Sequence, residues 1–358
     1  MLSDVLLRAL NAQPSGAPFR LAIIGLSKNV GKTTVVNHVL ETLALPASQL
    51  ALTSLGLDGE ALDALTGLPK PRIVPASGLL VATARQLLAS ATAEVEVLEE
   101  LPGRTALGKV VLGRVRLPGR IEIAGPTLLS DLAPAARRAQ QYGARMLLID
   151  GAINRLGAAA PEVTDACILC TGATVGATAR VVARRTVETL ERLSTPVAPA
   201  ELRAAFAALP PACRIAAWMP DSQLQVAPSV ASEPSLAARW MAEQAQKGAV
   251  VCFLRGALTD ELAQALLLHW SLVRPLTCLV NDPTRLFASA ALLRQLKERG
   301  VSLAVAQPIR VLVVTLSPFA PSTPLSTEQL AEEIQARCPR HPALLDVVSG
   351  LFRPASGN

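Results

Sequence analysis

The ten residues 25–34, GLSKNVGKTT, constrain this chain more than any others, because an apolar run (Leu21, Ala22, Ile23, Ile24) leads into them and an amphipathic pattern follows. A strand that ends in a glycine-bearing turn and then starts a helix directs successive backbone N–H groups, and the positive end of the helix dipole, at one point. Polyphosphate is the natural occupant of such a point. The spacing casts Gly25, Lys28, Asn29, Val30, Gly31, Lys32, Thr33 and Thr34 as a binding loop, with Lys32 reaching the β and γ phosphates and the Thr33 hydroxyl on a bridging magnesium. The usual pattern G-x-x-x-x-G-K-[ST] asks for glycine at Leu26, whereas this chain has it one residue earlier, at Gly25. The loop is therefore a variant.

A second apolar run, Met146 to Ile149, ends in Asp150-Gly151 and follows a helical pattern over 127–141. A carboxylate at the tip of a parallel strand beside a phosphate loop holds magnesium through water and polarises the attacking water. Between these features the stretch LTSLGLDGE (52–60) takes a short strand into a loop with two carboxylates. Asp58 is expected on the magnesium or the attacking water, with Glu60 in support. The residues expected to carry catalysis are thus Lys32, Asp150 and Asp58, and the magnesium ligands Thr33, Asp150 and Asp58.

Periodicity gives an α/β chain with a mostly parallel sheet of the phosphate-loop type. Strand 20–25, helix 31–44 and strand 49–55 open the series, which resumes with strands 145–150 and 165–170 and helix 177–193. From 78 to 124, short β-like stretches (79–83, 95–98, 109–116, 120–124) separated by Pro-Gly at 102–103 and 118–119 read as an antiparallel insertion near the phosphate site. Prolines crowd 196–234, where only 213–218 reads as a strand. A second, smaller series follows with strands 249–254, 275–280, 301–306 and 310–315 and helices 258–270, 284–298 and 326–337. The expected division is a nucleotide-binding domain at 1–195, a Pro-rich linker or domain edge at 196–248, and a C-terminal α/β domain at 249–358.

The composition limits the alternatives. Of the 358 residues 51% are hydrophobic but only 3% aromatic, so the cores must be built from Ala, Leu and Val. No apolar run reaches the roughly 20 residues of a membrane helix, and Asp4 and Arg8 interrupt the N-terminal stretch, which therefore does not read as a signal peptide. A cytoplasmic protein is expected. The net charge of +6 comes mainly from scattered arginines without aromatic interleaving, which argues against nucleic acid. Cys167-x-x-Cys170 has metal or redox spacing, but it lies in a strand pattern that sends the two side chains to opposite faces, and the three histidines (His38, His269, His341) are dispersed. Core cysteines are expected.

Taken in order, GLSKNVGKTT, LTSLGLDGE, TGLPKPRI, LLVATA, IDGAINR, VTDACILCTGATVG, LVNDPT and TLSPFAPS resemble a bacterial family of phosphate-loop proteins. That family is the nucleotide-binding subunit of the reactivating factor of cobalamin-dependent lysine 5,6-aminomutase and ornithine 4,5-aminomutase. The resemblance implies ATP and Mg2+ as cofactors, a second reactivase subunit and the aminomutase as partners, and a chaperone-like ATPase that opens the mutase to release damaged cobalamin. It makes 56–72 and 151–157 the candidate switch segments, with Asn154 and Arg155 as γ-phosphate sensors or partner contacts. Homodimerisation stays open, because Lys28 stands four residues before Lys32, whereas dimeric ATPases of the partition type place their signature lysine five before. The alternatives are an ATP-dependent ligase resembling dethiobiotin synthetase, with Lys70, Arg72 and Arg85 lining a carboxylate pocket, and a nucleotide-regulated adaptor or partition-type ATPase. Asn281 to Thr284 is a further candidate for a base or partner contact. The absence of a guanine-reading N-K-x-D favours ATP over GTP.

Overall fold

The computed structural model describes residues 1–13, 17–55, 73–151, 156–228, 233–269, 275–320 and 323–356. It divides into two units, 1–187 with 310–358, and 188–309. The first unit starts with helix α1 (Leu2–Asn11), strand β1 (Phe19–Gly25), helix α2 (Lys32–Thr42) and strand β2 (Leu50–Ser54). It continues with β3 (Leu80–Ala84), the single turn α3 (Arg85–Leu88), the hairpin strands β4 (Glu94–Thr105) and β5 (Gly108–Leu117), α4 (Leu132–Gln141), β6 (Met146–Asp150), β7 (Ala166–Gly172) and α5 (Ala179–Leu193). The second unit holds α6 (Ala200–Ala208), β8 (Ile215–Trp218), β9 (Leu224–Val226), α7 (Pro234–Gln246), β10 (Val251–Leu254), α8 (Asp260–His269), β11 (Leu276–Val280), α9 (Ala290–Glu298) and β12 (Val301–Val305). The chain then returns to the first unit with β13 (Val311–Ser317), α10 (Thr327–Arg337), β14 (Ala343–Leu345) and β15 (Phe352–Arg353).

The first unit is built on a ten-stranded sheet in the order β15-β14-β13-β7-β1-β6-β2-β3-β5-β4. From β14 through β3 every neighbouring pair is parallel, while β15 and the β4–β5 hairpin are antiparallel additions at the two ends. Parallel strands covered on both faces need continuous apolar sequence, and β2, β6 and β7 are buried at every position. Asp165 fixes the start of β1 against β7: the Arg20 backbone N–H donates to its Oδ2 at 2.7 Å, and the Arg20 guanidinium pairs with it bidentately, Nε to Oδ2 at 3.3 Å and Nη2 to Oδ1 at 2.9 Å. At the far edge, β4 carries Glu96, Glu99 and Glu100, which pair with Arg116, Arg138 and Lys109. An edge so charged resists the addition of another strand.

The second unit is a five-stranded sheet, β12-β11-β10-β8-β9, with β10, β11 and β12 parallel. Period-2 alternation sends Cys252 and Leu254 of β10 into one core with residues of α7, α8 and α9 such as Met241, Leu266 and Leu296. Val251 and Phe253 go to the other face, where the Phe253 ring meets Phe206 of α6 edge-on, centroids 5.8 Å apart.

These observations correct the sequence reading in five places. The 80–84 stretch of the expected insertion is parallel to β2 within the main sheet, and the antiparallel strand pairings of the insertion are only those of β5 with β3 and with β4. Pro102-Gly103 is not the hairpin turn but an irregularity inside β4, where pairing slips between Glu100 and Arg104, as a residue without an N–H forces. The 120–124 stretch is not a strand; Ile121 makes one bridge to Ile73, and Ser54 and Thr83 hydroxyls accept from the N–H groups of Gly125 and Ala124 at 2.9 Å each, drawing the segment onto the ends of β2 and β3. The expected linker or domain edge 196–248 carries α6, β8, β9 and α7 among its described residues, and its prolines include Pro199, which precedes α6, and Pro234, the first residue of α7. Proline at a helix start is preorganised rather than disruptive. Finally, 310–358 does not belong with 249–309: β13 pairs with β7, so the second unit is an insertion between α5 and β13.

Candidate functional site

The site is built where the strand order reverses. From β1 the chain goes to β2 on one side, and from β6 it crosses to β7 on the other, which leaves a crevice beyond the C-terminal ends of these strands. Gly25 ends β1 level with Cys170 of β7, and Asp150 ends β6 level with Ile23 of β1 and Ser54 of β2. The β1–α2 loop, residues 26–31, rises from this point. The Leu26 N–H donates to the Cys170 carbonyl at 3.0 Å, and the Thr174 hydroxyl to the Lys28 carbonyl at 2.8 Å, so the turn after β7 holds the loop from the side.

Two residues of the loop take left-handed backbone, Asn29 (φ 58°) and Gly31 (φ 82°). Such reversals gather consecutive N–H groups on one concave side. Gly31 is also the N-cap of α2, and no side chain caps that end. The first N–H groups of α2 therefore face the loop with their partial positive charge uncompensated. Gly25 explains the variant spacing of the motif: a Cβ there would stand 2.7 Å from Val30 Cγ2 and 3.1 Å from Lys32 Cδ. The loop folds back so closely over the strand end that glycine is required one residue earlier than usual.

Lys32 is the first residue of α2 and is only 7% exposed. Its stem lies along Gly25, and among the described residues no carboxylate forms an ion pair with its ammonium. Asp150, 5% exposed, is the nearby acid at the tip of β6. Both groups are felt by the Cys170 thiol: burial raises its pKa to about 12, Asp150 adds to the rise and Lys32 opposes it. Cys167, equally buried, is also pushed up to about 12, so at neutral pH both are thiols within the core. Gly151 leaves β6 hard against β1, its N–H donating to the Ile23 carbonyl at 2.9 Å.

The structure therefore brings Gly25, Lys28, Asn29, Val30, Gly31, Lys32, Thr33, Thr34 and Asp150 to one end of one sheet. Asp58, Glu60, Lys70 and Arg72 (within 56–72) and Asn154 and Arg155 lie outside the described residues. Arg85, the remaining candidate for a carboxylate pocket, is 55% exposed and pairs with Glu100 at 3.5 Å. Asp282 is in the second unit and is consumed locally, its carboxylate accepting from the Thr284 N–H at 2.8 Å and from Asn281 Nδ2 at 3.0 Å. Two neighbours of the loop were not singled out from sequence, Thr174 and Ser317. Ser317, the last residue of β13, would have its Cβ 3.6 Å from a Cβ on Gly31. Their only sequence signal is a polar residue just past an apolar run.

No protein-family profile, curated protein or solved structure matches the chain. The donor set must speak for itself. Thr33 and Asp150 offer hard oxygen ligands of the type magnesium takes. No group of three or more His, Cys, Asp or Glu suited to a metal occurs among the described residues. No helix among the described residues is long and apolar enough to cross a membrane.

Proposed function

We propose that the chain binds magnesium ATP at the β1–α2 loop and hydrolyses it. The observation that carries this reading is the buried Lys32, which forms no ion pair with a carboxylate among the described residues and is set at the uncapped N-terminus of α2, with Asp150 close enough that both act on the Cys170 thiol. A cation removed from water without a counter-ion is costly, and a polyphosphate supplies that charge while the loop N–H groups and helix dipole complete its binding. Thr33 and Asp150 hold the magnesium, and Asp150 orients the attacking water. Magnesium held by these residues would supply neutralisation of the charge that develops on the transferred phosphate.

We further propose that turnover drives release of damaged cobalamin from a lysine or ornithine aminomutase, with this chain as the nucleotide-binding subunit of the reactivating factor. The support for this part is the ordered resemblance of eight sequence phrases spanning 25–322. Adenosylcobalamin chemistry occasionally loses the adenosyl group, and a tightly held dead cofactor needs an external source of free energy to leave. The test is ATP hydrolysis by the purified chain, alone and with an aminomutase carrying inactive cobalamin, and Lys32→Ala as control. Stimulation by the loaded mutase together with cobalamin release is expected, and Lys32→Ala should lose turnover by a factor of 100 or more, roughly the worth of a buried charge contact in a transition state. Normal turnover in folded Lys32→Ala would remove the nucleotide site from this loop.

A further inference from the structure

We propose that the nucleoside half of the ligand lies on the β7–β13 side of the loop and that Phe319 stacks on its base. The inference rests on the nucleotide reading above and adds the direction in which the ligand lies. Asp150 is on β6, to one side of β1, and marks the end where the terminal phosphate and its magnesium belong. The loop is walled on the other side by the turn after β7, through the Thr174 to Lys28 hydrogen bond, and by the end of β13, through the approach of Ser317 to Gly31. A nucleotide with its γ phosphate toward Asp150 must therefore run its sugar and base toward Thr174 and Ser317.

Phe319 follows Ser317 by two residues, so its Cα is within about 7 Å of that of Ser317. The Leu325 N–H donates to the Pro318 carbonyl at 2.9 Å, which ties the start of this segment down beside the strand end. Phe319 is 56% exposed in a chain with six Phe and one Tyr, whereas Phe19, Phe206 and Phe253 are buried in the two cores. The other strongly exposed ring among the described residues, Phe287, belongs to the second unit. A flat apolar ring presented to solvent two residues beyond Ser317 gives a base a stacking surface, and stacking is tolerant of base identity because every base has a π-face.

The test is calorimetric titration of the full chain with magnesium ATP and with magnesium tripolyphosphate, which shares the phosphates but has no base. Wild type should bind ATP about tenfold or more tightly than tripolyphosphate. Phe319→Ala and Phe319→Leu should lose that margin while binding tripolyphosphate unchanged, and Phe319→Trp should keep it and show indole fluorescence quenched by ATP but not by tripolyphosphate. Wild type that binds both ligands equally, or Phe319→Ala with undiminished ATP affinity, overturns the stacking role and leaves the phosphate site standing. Wild type that binds neither overturns both. Equal loss of both ligands in Phe319→Ala assigns the ring to the shape of the loop and also overturns the proposal.

Discussion

At the scale of single residues, the site depends on two charges of opposite sign, one at the start of α2 and one at the tip of β6. Lys32 and Asp150 are 7% and 5% exposed, and under the proposed function they divide the work: Lys32 meets phosphate, Asp150 meets magnesium and water. Substituting them should give different phenotypes. Asp150→Asn keeps the shape but removes the charge, and is expected to lower kcat for ATP by about 100-fold, the order seen when one preorganised electrostatic contact is removed, while changing ATP affinity by less than about tenfold. Single-turnover kinetics beside equilibrium binding would check this. A variant that fails to fold would instead make Asp150 a structural residue of the β6 tip. The glycines act by what they leave out. Gly25 is legible as the motif's first glycine, but the reason for its early position, the fold-back of Val30 and Lys32 onto it, is a three-dimensional fact with no trace in the spacing.

At the scale of elements, the placement of β13 beside β7 matters most. The two strands meet closely at Gly172, where a Cβ would stand 2.1 Å from the Ser317 carbonyl oxygen. That contact is backbone against a rigid strand, so Gly172→Ala must push β13 outward. We expect a cost of about 1–3 kcal/mol and weaker nucleotide binding, read from thermal unfolding and from titration of the same variant; an alanine variant with unchanged stability would show that the close spacing is not needed. The strands and helices around the loop were readable because apolar runs bounded by Gly and Asp are strong signals, as in 20–25 and 145–150. The helices α6 and α7 were not, because Pro199 and Pro234 were read as breaks when they are helix starts. The hairpin turn was misplaced for a related reason: Pro102-Gly103 has turn composition but occupies an irregularity within β4.

At the scale of the whole molecule, the division into 1–187 with 310–358 and 188–309 gives each unit its own sheet and core. Separate cores unfold separately unless coupled, so scanning calorimetry should resolve two transitions. Magnesium ATP at 100 times its Kd should stabilise the transition of the first unit by about 2.7 kcal/mol and leave the other in place; a single transition that moves as one would contradict this. Sequence could not reveal the division, because an apolar run such as 311–316 carries no mark of which sheet it will join. That return has a cost during synthesis. β7 leaves the ribosome long before β13, and at about 5–20 residues per second the intervening 188–309 takes on the order of ten seconds to emerge. For that interval the nascent sheet ends in a bare apolar edge, so the wall that closes the crevice is also the last part of the translation schedule on which the site depends.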